Sequence, residues 1–228
     1  LAAAPLVECP RCCGKRHATI LCVMNTRAAL RFAMLTIAGG ISCADGPVVV
    51  GDNTPPGVTI LQPAPGQFAA GDSINVLASA TDAQQGTLGA ASLDWWVDLH
   101  HGEHTHPFVP VTNGMPGRFG IPRAGHTDAD IFYRISVSAT DAGGLSDTTQ
   151  VDLSPRLIEI TLLTQPEGLT VTLDHQPRQT PLTMSTVVGG ERVIGAPELQ
   201  SIGTLEYEFA RWAHGGPLSQ VIAAGSSR

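Results

Sequence analysis

The sequence predicts an all-β chain of two modules: an antiparallel β-sandwich, then a smaller β domain. Three observations predict it. The 228 residues hold 25 Gly and 17 Pro among abundant Thr, Ser and Val, a turn-rich and strand-favouring composition. Apolar residues recur with period two in short segments, and no segment carries helical periodicity. At 43% hydrophobic and 14% charged, the chain is too apolar for a disordered one and long enough to bury real cores.

The N-terminal part is set apart by charge and cysteine. Residues 1–43 hold five basic groups against Glu8 alone and all five Cys, at positions 9, 12, 13, 22 and 43. Residues 44–228 hold 8 Arg, no Lys and 19 Asp or Glu, a net charge of −11 that would repel a phosphate backbone. No nucleic-acid partner is expected. From Met24 the chain has a short basic start, an apolar run from Ala28 to Ile41 broken by Arg31, and a small-residue end before Cys43. That is the pattern of an export signal over 24–43, with 1–23 as upstream translation outside the natural protein. Cys43 resembles the lipid-attachment cysteine of bacterial lipoproteins, so any membrane association is expected through a lipid anchor. The run is short for a transmembrane helix. A competing reading makes Cys9, Cys12, Cys13, Cys22 and His17 a zinc knuckle, but one Cys-x-x-Cys pair lacks its second. The expected location is periplasmic or extracellular.

Residues 44–56, ending in Pro55-Pro56, read as a stiff linker. A strand follows with Ile74, Val76, Ala78 and Ala80 on one face. In Leu93–His100 the odd positions Leu93, Trp95, Val97 and Leu99 form an apolar face, which turns Trp96, Asp98 and His100 outward together. Ile131, Tyr133, Ile135, Val137 and Ala139 alternate in the same way, and Val151 and Leu153 close the set. Ala80-Thr-Asp82-Ala and Ala139-Thr-Asp141-Ala each end a strand at a Gly-containing turn. Asp there caps the turn through nearby backbone; a calcium site shared between the two strand ends is the sharper alternative.

The stretch from Asn53-Thr-Pro-Pro-Gly through Ala80-Thr-Asp82, with Tyr133-Arg-Ile135 through Asp141-Ala-Gly-Gly-Leu145, resembles a bacterial immunoglobulin-like domain. The resemblance implies a two-sheet sandwich over 57–154 with Trp95 at the buried core position. Ser154-Pro155 marks a boundary. Beyond it, Leu157–Leu163, Gly168–Asp174, Gln179-Thr-Pro181, Val187-Val-Gly-Gly-Glu191 and Tyr207–Gly216 resemble a PEGA-type repeat module over 155–228. In such modules the aromatic pair packs the core and Gly-Gly makes a hairpin. Trp212 is expected in that core, His175 and His214 in solvated turns, and the last strand is expected to stop short as Gln220–Arg228 decays into small residues. In tandem the two modules are also similar to the C-terminal tail of secreted pyrroloquinoline-quinone (PQQ) sugar dehydrogenases, whose propeller has no room in this length.

Histidine carries the chemical content. Four of the eight His fall in His100-His101-Gly-Glu103-His104-Thr-His106, and His126 follows near Asp128. Neutral imidazoles bind zinc, copper or nickel, so His100, His101, His104, His106 and His126, with Asp98 and Asp128, form the candidate metal set. Zinc or copper is the expected ion, ahead of calcium. A metal-free polar network pinning a loop and a sugar-binding patch built on Trp96 are the competing readings. Gly102 and Pro107 exclude a His-Glu-x-x-His helix, and no P-loop, dinucleotide fingerprint or Gly-x-Ser-x-Gly elbow occurs. The expected function is a non-catalytic accessory module of an exported bacterial protein, for adhesion, spacing or carbohydrate association at the cell surface. A fragment of a sugar dehydrogenase and a metal-dependent enzyme built on the His cluster are the alternatives.

Overall fold

The computed structural model describes residues 52–225, which belong to one compact unit. The upstream stretch 1–23, the leader 24–43 with Cys43, the knuckle cysteines and the first part of the 44–56 linker lie outside the described residues. No helix among the described residues is long and apolar enough to cross a membrane.

The chain is all-β. The first part runs β1 (Gly57–Gln62), β2 (Gly66–Phe68), β3 (Ser73–Asp82), β4 (Gly86–Thr87), a single 3-10 turn (Ala90–Ser92), β5 (Leu93–His101), β6 (His104–Asn113), β7 (Gly117–Gly120), β8 (Ile131–Thr140) and β9 (Ser146–Pro155). The second part runs β10 (Leu157–Leu162), β11 (Thr170–Leu173), β12 (Gln176–Gln179), β13 (Leu182–Val187), β14 (Glu191–Gly195), β15 (Leu199–Ile202), β16 (Leu205–Glu208) and β17 (Ser219–Ala223).

Two sheets make the sandwich. One is centred on β3 with β1, β4 and β7; the other has the order β2-β9-β8-β5-β6. Both contribute to one core, Val76, Ala78 and Ala80 of β3 meeting Leu93, Trp95, Val97 and Leu99 of β5 and the odd residues of β8. Period-two burial is what the pleat enforces when one face is dry. Trp95 is 4% exposed and lies over β7, where Gly117 leaves room that a Cβ would take from the indole ring. Tyr133 meets Phe68 edge-on at 5.0 Å and Phe108 at 4.9 Å, and burial pushes its pKa up to about 12.

The second part pairs β10 with β13, and places β11 and β14 inside the sheet β12-β11-β14-β17. Leu162, Val171, Leu173 and Ile194 form its core, and Trp212, half-buried, packs against them. Asp174 and His175 make the two-residue turn between β11 and β12, both with positive φ (49° and 67°), the geometry that matches strand twist. His175 and His214 are exposed.

Three local expectations are corrected. The end of the linker packs down: Pro56 is buried, and the Asn53 amide donates to Asp141 at 2.8 Å. The final strand does not decay, because β17 pairs with β14 over five residues from Glu191↔Ala223 to Gly195↔Ser219. Gly215-Gly216 joins no hairpin, since β16 pairs with β15 and β17 with β14. In the two strand cases a backbone partner distant in sequence decides what local composition suggested otherwise, and at the linker end a side-chain partner does.

Candidate functional site

The site is built at the tip of the β5–β6 hairpin. Gly102, with φ 51°, and Glu103 form the tight connection, which makes His101 and His104 the closing cross-strand pair. Two irregularities in the β5–β6 register set what lies further down. Val97 pairs with Val109 but Asp98 pairs with Pro107, so Phe108 is an extra residue on β6. This bulge places His106 opposite Leu99, on the face that points into the core. Directly opposed residues share a face, so His101, His104 and His106 all project to the inner side at the tip, beyond the last core layer.

His126, on the segment between β7 and β8, closes over them. Its ring centroid is 4.9 Å from that of His101 and 6.0 Å from that of His106. His101 stacks on His106 at 4.8 Å and meets His104 at 5.6 Å, so His101 is the hub of four imidazoles. The Nε2 atoms of His101 and His106 are 2.8 Å apart. That contact needs one ring to donate and the other to accept, so both cannot be imidazolium while it exists. His101 is half-buried and the other three are exposed. As the rings stand, no group of three or more His, Cys, Asp or Glu side chains among the described residues is placed to hold a metal ion.

The remaining candidates lie elsewhere. His100 points to the opposite face of the sheet, stacked on its cross-strand partner Phe132 at 4.3 Å and 9°, with its Nδ1 3.0 Å from the Thr105 hydroxyl. Trp96 and Asp98 share that outer face, as strand parity predicts, and both are half exposed. Beside them the Arg134 guanidinium donates two hydrogen bonds of 2.8 Å to Asp152. That bond and its charge hold Asp152 below the usual carboxylate range and raise Arg134. Asp128 is turned away from the imidazoles into an ion pair with Arg192 at 3.0 Å. The structure therefore brings His101, His104, His106 and His126 together, and separates His100, Asp98, Trp96 and Asp128 from them.

Asp82 and Asp141 cap their turns. Oδ1 of Asp82 accepts from the backbone N–H of Gln84 and Gln85, and Oδ1 of Asp141 from that of Leu145. Oδ2 of Asp82 is buried without a partner.

Two features carried no signal in the sequence. Arg192, buried on β14, joins Asp128 of the sandwich to Asp174 of the β11–β12 turn at 2.5 Å. Two clefts of about 670 and 520 Å³ flank Trp212 in the second part, the larger lined by Tyr207, Phe209, Gln200 and Arg211. Alternation marks which strand face is buried, but not which of several exposed arginines folds inward.

Comparison with known proteins returns no matching family model, no matching curated protein and no matching solved structure.

Proposed function

We propose that this chain is a non-catalytic accessory module of an exported bacterial protein, an immunoglobulin-like sandwich carrying a PEGA-like domain, that associates with carbohydrate at the cell surface. The observation that supports this reading is the outer face of the five-stranded sheet. There Trp96 stands half exposed on β5, with Asp98 two residues on and the Arg134–Asp152 pair across the neighbouring strands. A half-exposed indole offers an apolar face to the C–H side of a sugar ring. Carboxylate and guanidinium groups alongside it accept from and donate to hydroxyls in a fixed geometry. The strands on either side hold this row rigid, since β5 is paired to β8 without interruption from Leu93↔Ala139 to His101↔Ile131.

A glycan array with the full chain tests it. Binding to a defined set of glycans, weakened roughly tenfold or more in Trp96→Ala, is the expected outcome, in line with the worth of one aromatic contact. A blank array, or binding that Trp96→Ala leaves unchanged, removes carbohydrate association from the reading.

A further inference from the structure

We infer that the four imidazoles at the hairpin tip are a binding site for one divalent transition-metal ion, with His101, His106 and His126 as its ligands and His104 as a fourth. The site lies on the opposite side of the sheet from Trp96 and stands independently of the carbohydrate reading.

Three of the four side chains are exposed, so burial of apolar surface does not gather them. Yet they come from two strands and a separate loop and meet at centroid distances of 4.8 to 6.0 Å. The bulge at Phe108 is what delivers two of them to the same face as His101.

The donor atoms then point to the ion. The closest approach is Nε2 to Nε2, between His101 and His106, at 2.8 Å. Two nitrogens on one tetrahedral zinc stand about 3.3 Å apart, given Zn–N bonds near 2.0–2.1 Å. The donating ring shifts its proton to Nδ1, and a separation wider by about half an ångström with both lone pairs turned to one point makes this pair two ligands. His126 and His104 lie with ring centroids 4.9 and 5.6 Å from that of His101, and both are exposed, so no packing fixes their side-chain rotamers. An all-imidazole set favours copper, nickel and zinc over calcium and magnesium, which require oxygen. The −11 charge of residues 44–228 raises the local cation concentration without supplying the ligands.

Occupancy would reach the second part of the chain. His126 is followed by Thr127 and Asp128, and the Thr127 carbonyl accepts from both the Val187 N–H and the Thr186 hydroxyl. Asp128 pairs with Arg192. A metal fixing His126 to the hairpin therefore also fixes the loop that grips β13 and β14.

The test is calorimetric titration of the full chain, its five thiols alkylated, with Zn²⁺ and Cu²⁺, alongside Co²⁺ absorption. Saturable binding of one equivalent is expected, with nitrogen-ligand Co²⁺ bands and no competition from excess Ca²⁺. His101→Ala and His126→Ala should each weaken binding at least about tenfold, since losing a ligand costs no less than the roughly 10–100-fold of losing a ligand's hydrogen-bond partner. His100→Ala, on the other face, should change it less than twofold. Circular dichroism of each variant checks that the sandwich is intact; for a variant that fails this check, His101→Asn is measured in its place. Absence of saturable binding overturns the site. So does a loss in His100→Ala equal to that in His101→Ala, which would mean that a string of histidines chelates without a built site. Either result leaves the Trp96 glycan measurement untouched.

Discussion

Asp141 shows how much one side chain at a strand end can hold. It is buried at the end of β8, where burial pushes its pKa up. The backbone N–H of Leu145, the Asn53 amide and the N–H groups of Gly143 and Gly144 outweigh that and hold the carboxyl below its ordinary range. A depressed carboxylate pKa stabilises the fold above the unfolded value near 3.9, and the gain disappears as pH falls through the folded value. The contribution is thus full at neutral pH and lost below about pH 4. Asp141→Asn should be less stable than the parent at pH 7, with a smaller further loss between pH 7 and pH 3. Urea midpoints at the two pH values measure this; parallel losses in both proteins would assign the acid sensitivity elsewhere. The Arg134–Asp152 pair acts in the same window but is half exposed, so raising the salt should remove its share and leave that of Asp141. The capping role was legible, because Ala-Thr-Asp-Ala occurs twice before Gly-containing turns. The Asn53 partner, 88 residues away, was not.

At the scale of an element, the β5–β6 hairpin shows where sequence reading stops. Parity placed Trp95 inside and Trp96, Asp98 and His100 outside, because a strand with one dry face has a single acceptable phase. Parity cannot cross a bulge. Nothing in His104–Asn113 announces that Phe108 is an inserted residue, and without it His104 and His106 would share the outer face with His100. The grouping of all five histidines therefore dissolves into four and one at this position. Two variants separate packing from phase. Phe108→Ala keeps the register but loses contacts of 4.9 and 6.0 Å to Tyr133 and Phe119, at a cost of about 2–3 kcal/mol for a partly buried ring. Deleting Phe108 also shifts residues 104–107 by one. Imidazole NMR contacts between His101 and His106 should survive the substitution and vanish in the deletion. Their persistence in the deletion would show that the turn, and not the bulge, sets the tip. The element β17 teaches the complementary lesson: its composition is weak, and β14 makes it a strand.

The whole molecule is joined where the sequence placed a boundary. Pro155 is the last residue of β9 and is buried, and Arg156 alone separates it from β10. Beyond that step the two parts interlock through backbone: Ala70 N–H donates to Val188, Val187 N–H to Thr127 and Glu191 N–H to Arg123, at 2.6 to 3.0 Å. Gly189, with φ 78°, lies so close to the Ala70 carbonyl that a Cβ would stand 2.6 Å from it. Val187, although carried by β13, is 1% exposed within the sandwich core. Residues that complete a neighbour's core couple its stability to their own. Val187→Ala removes two buried methyl groups and should cost about 1–3 kcal/mol. The decisive quantity is how that loss is shared. With Trp95 reporting on the sandwich and Trp212 on the second core, each as the only indole in its variant, both should show one coincident urea transition, and Val187→Ala should shift both by the same amount. Arg192→Met should behave likewise. It cuts the link from Asp128 to Asp174, yet leaves both carboxylates able to reach water, so its cost stays below the roughly 3–5 kcal/mol of stranding a fully buried charge. Two separated transitions, or a shift confined to one reporter, would make the seam a contact between independent domains. A shared shift would make Val187 and Arg192 the residues through which a ligand held at either end is felt at the other.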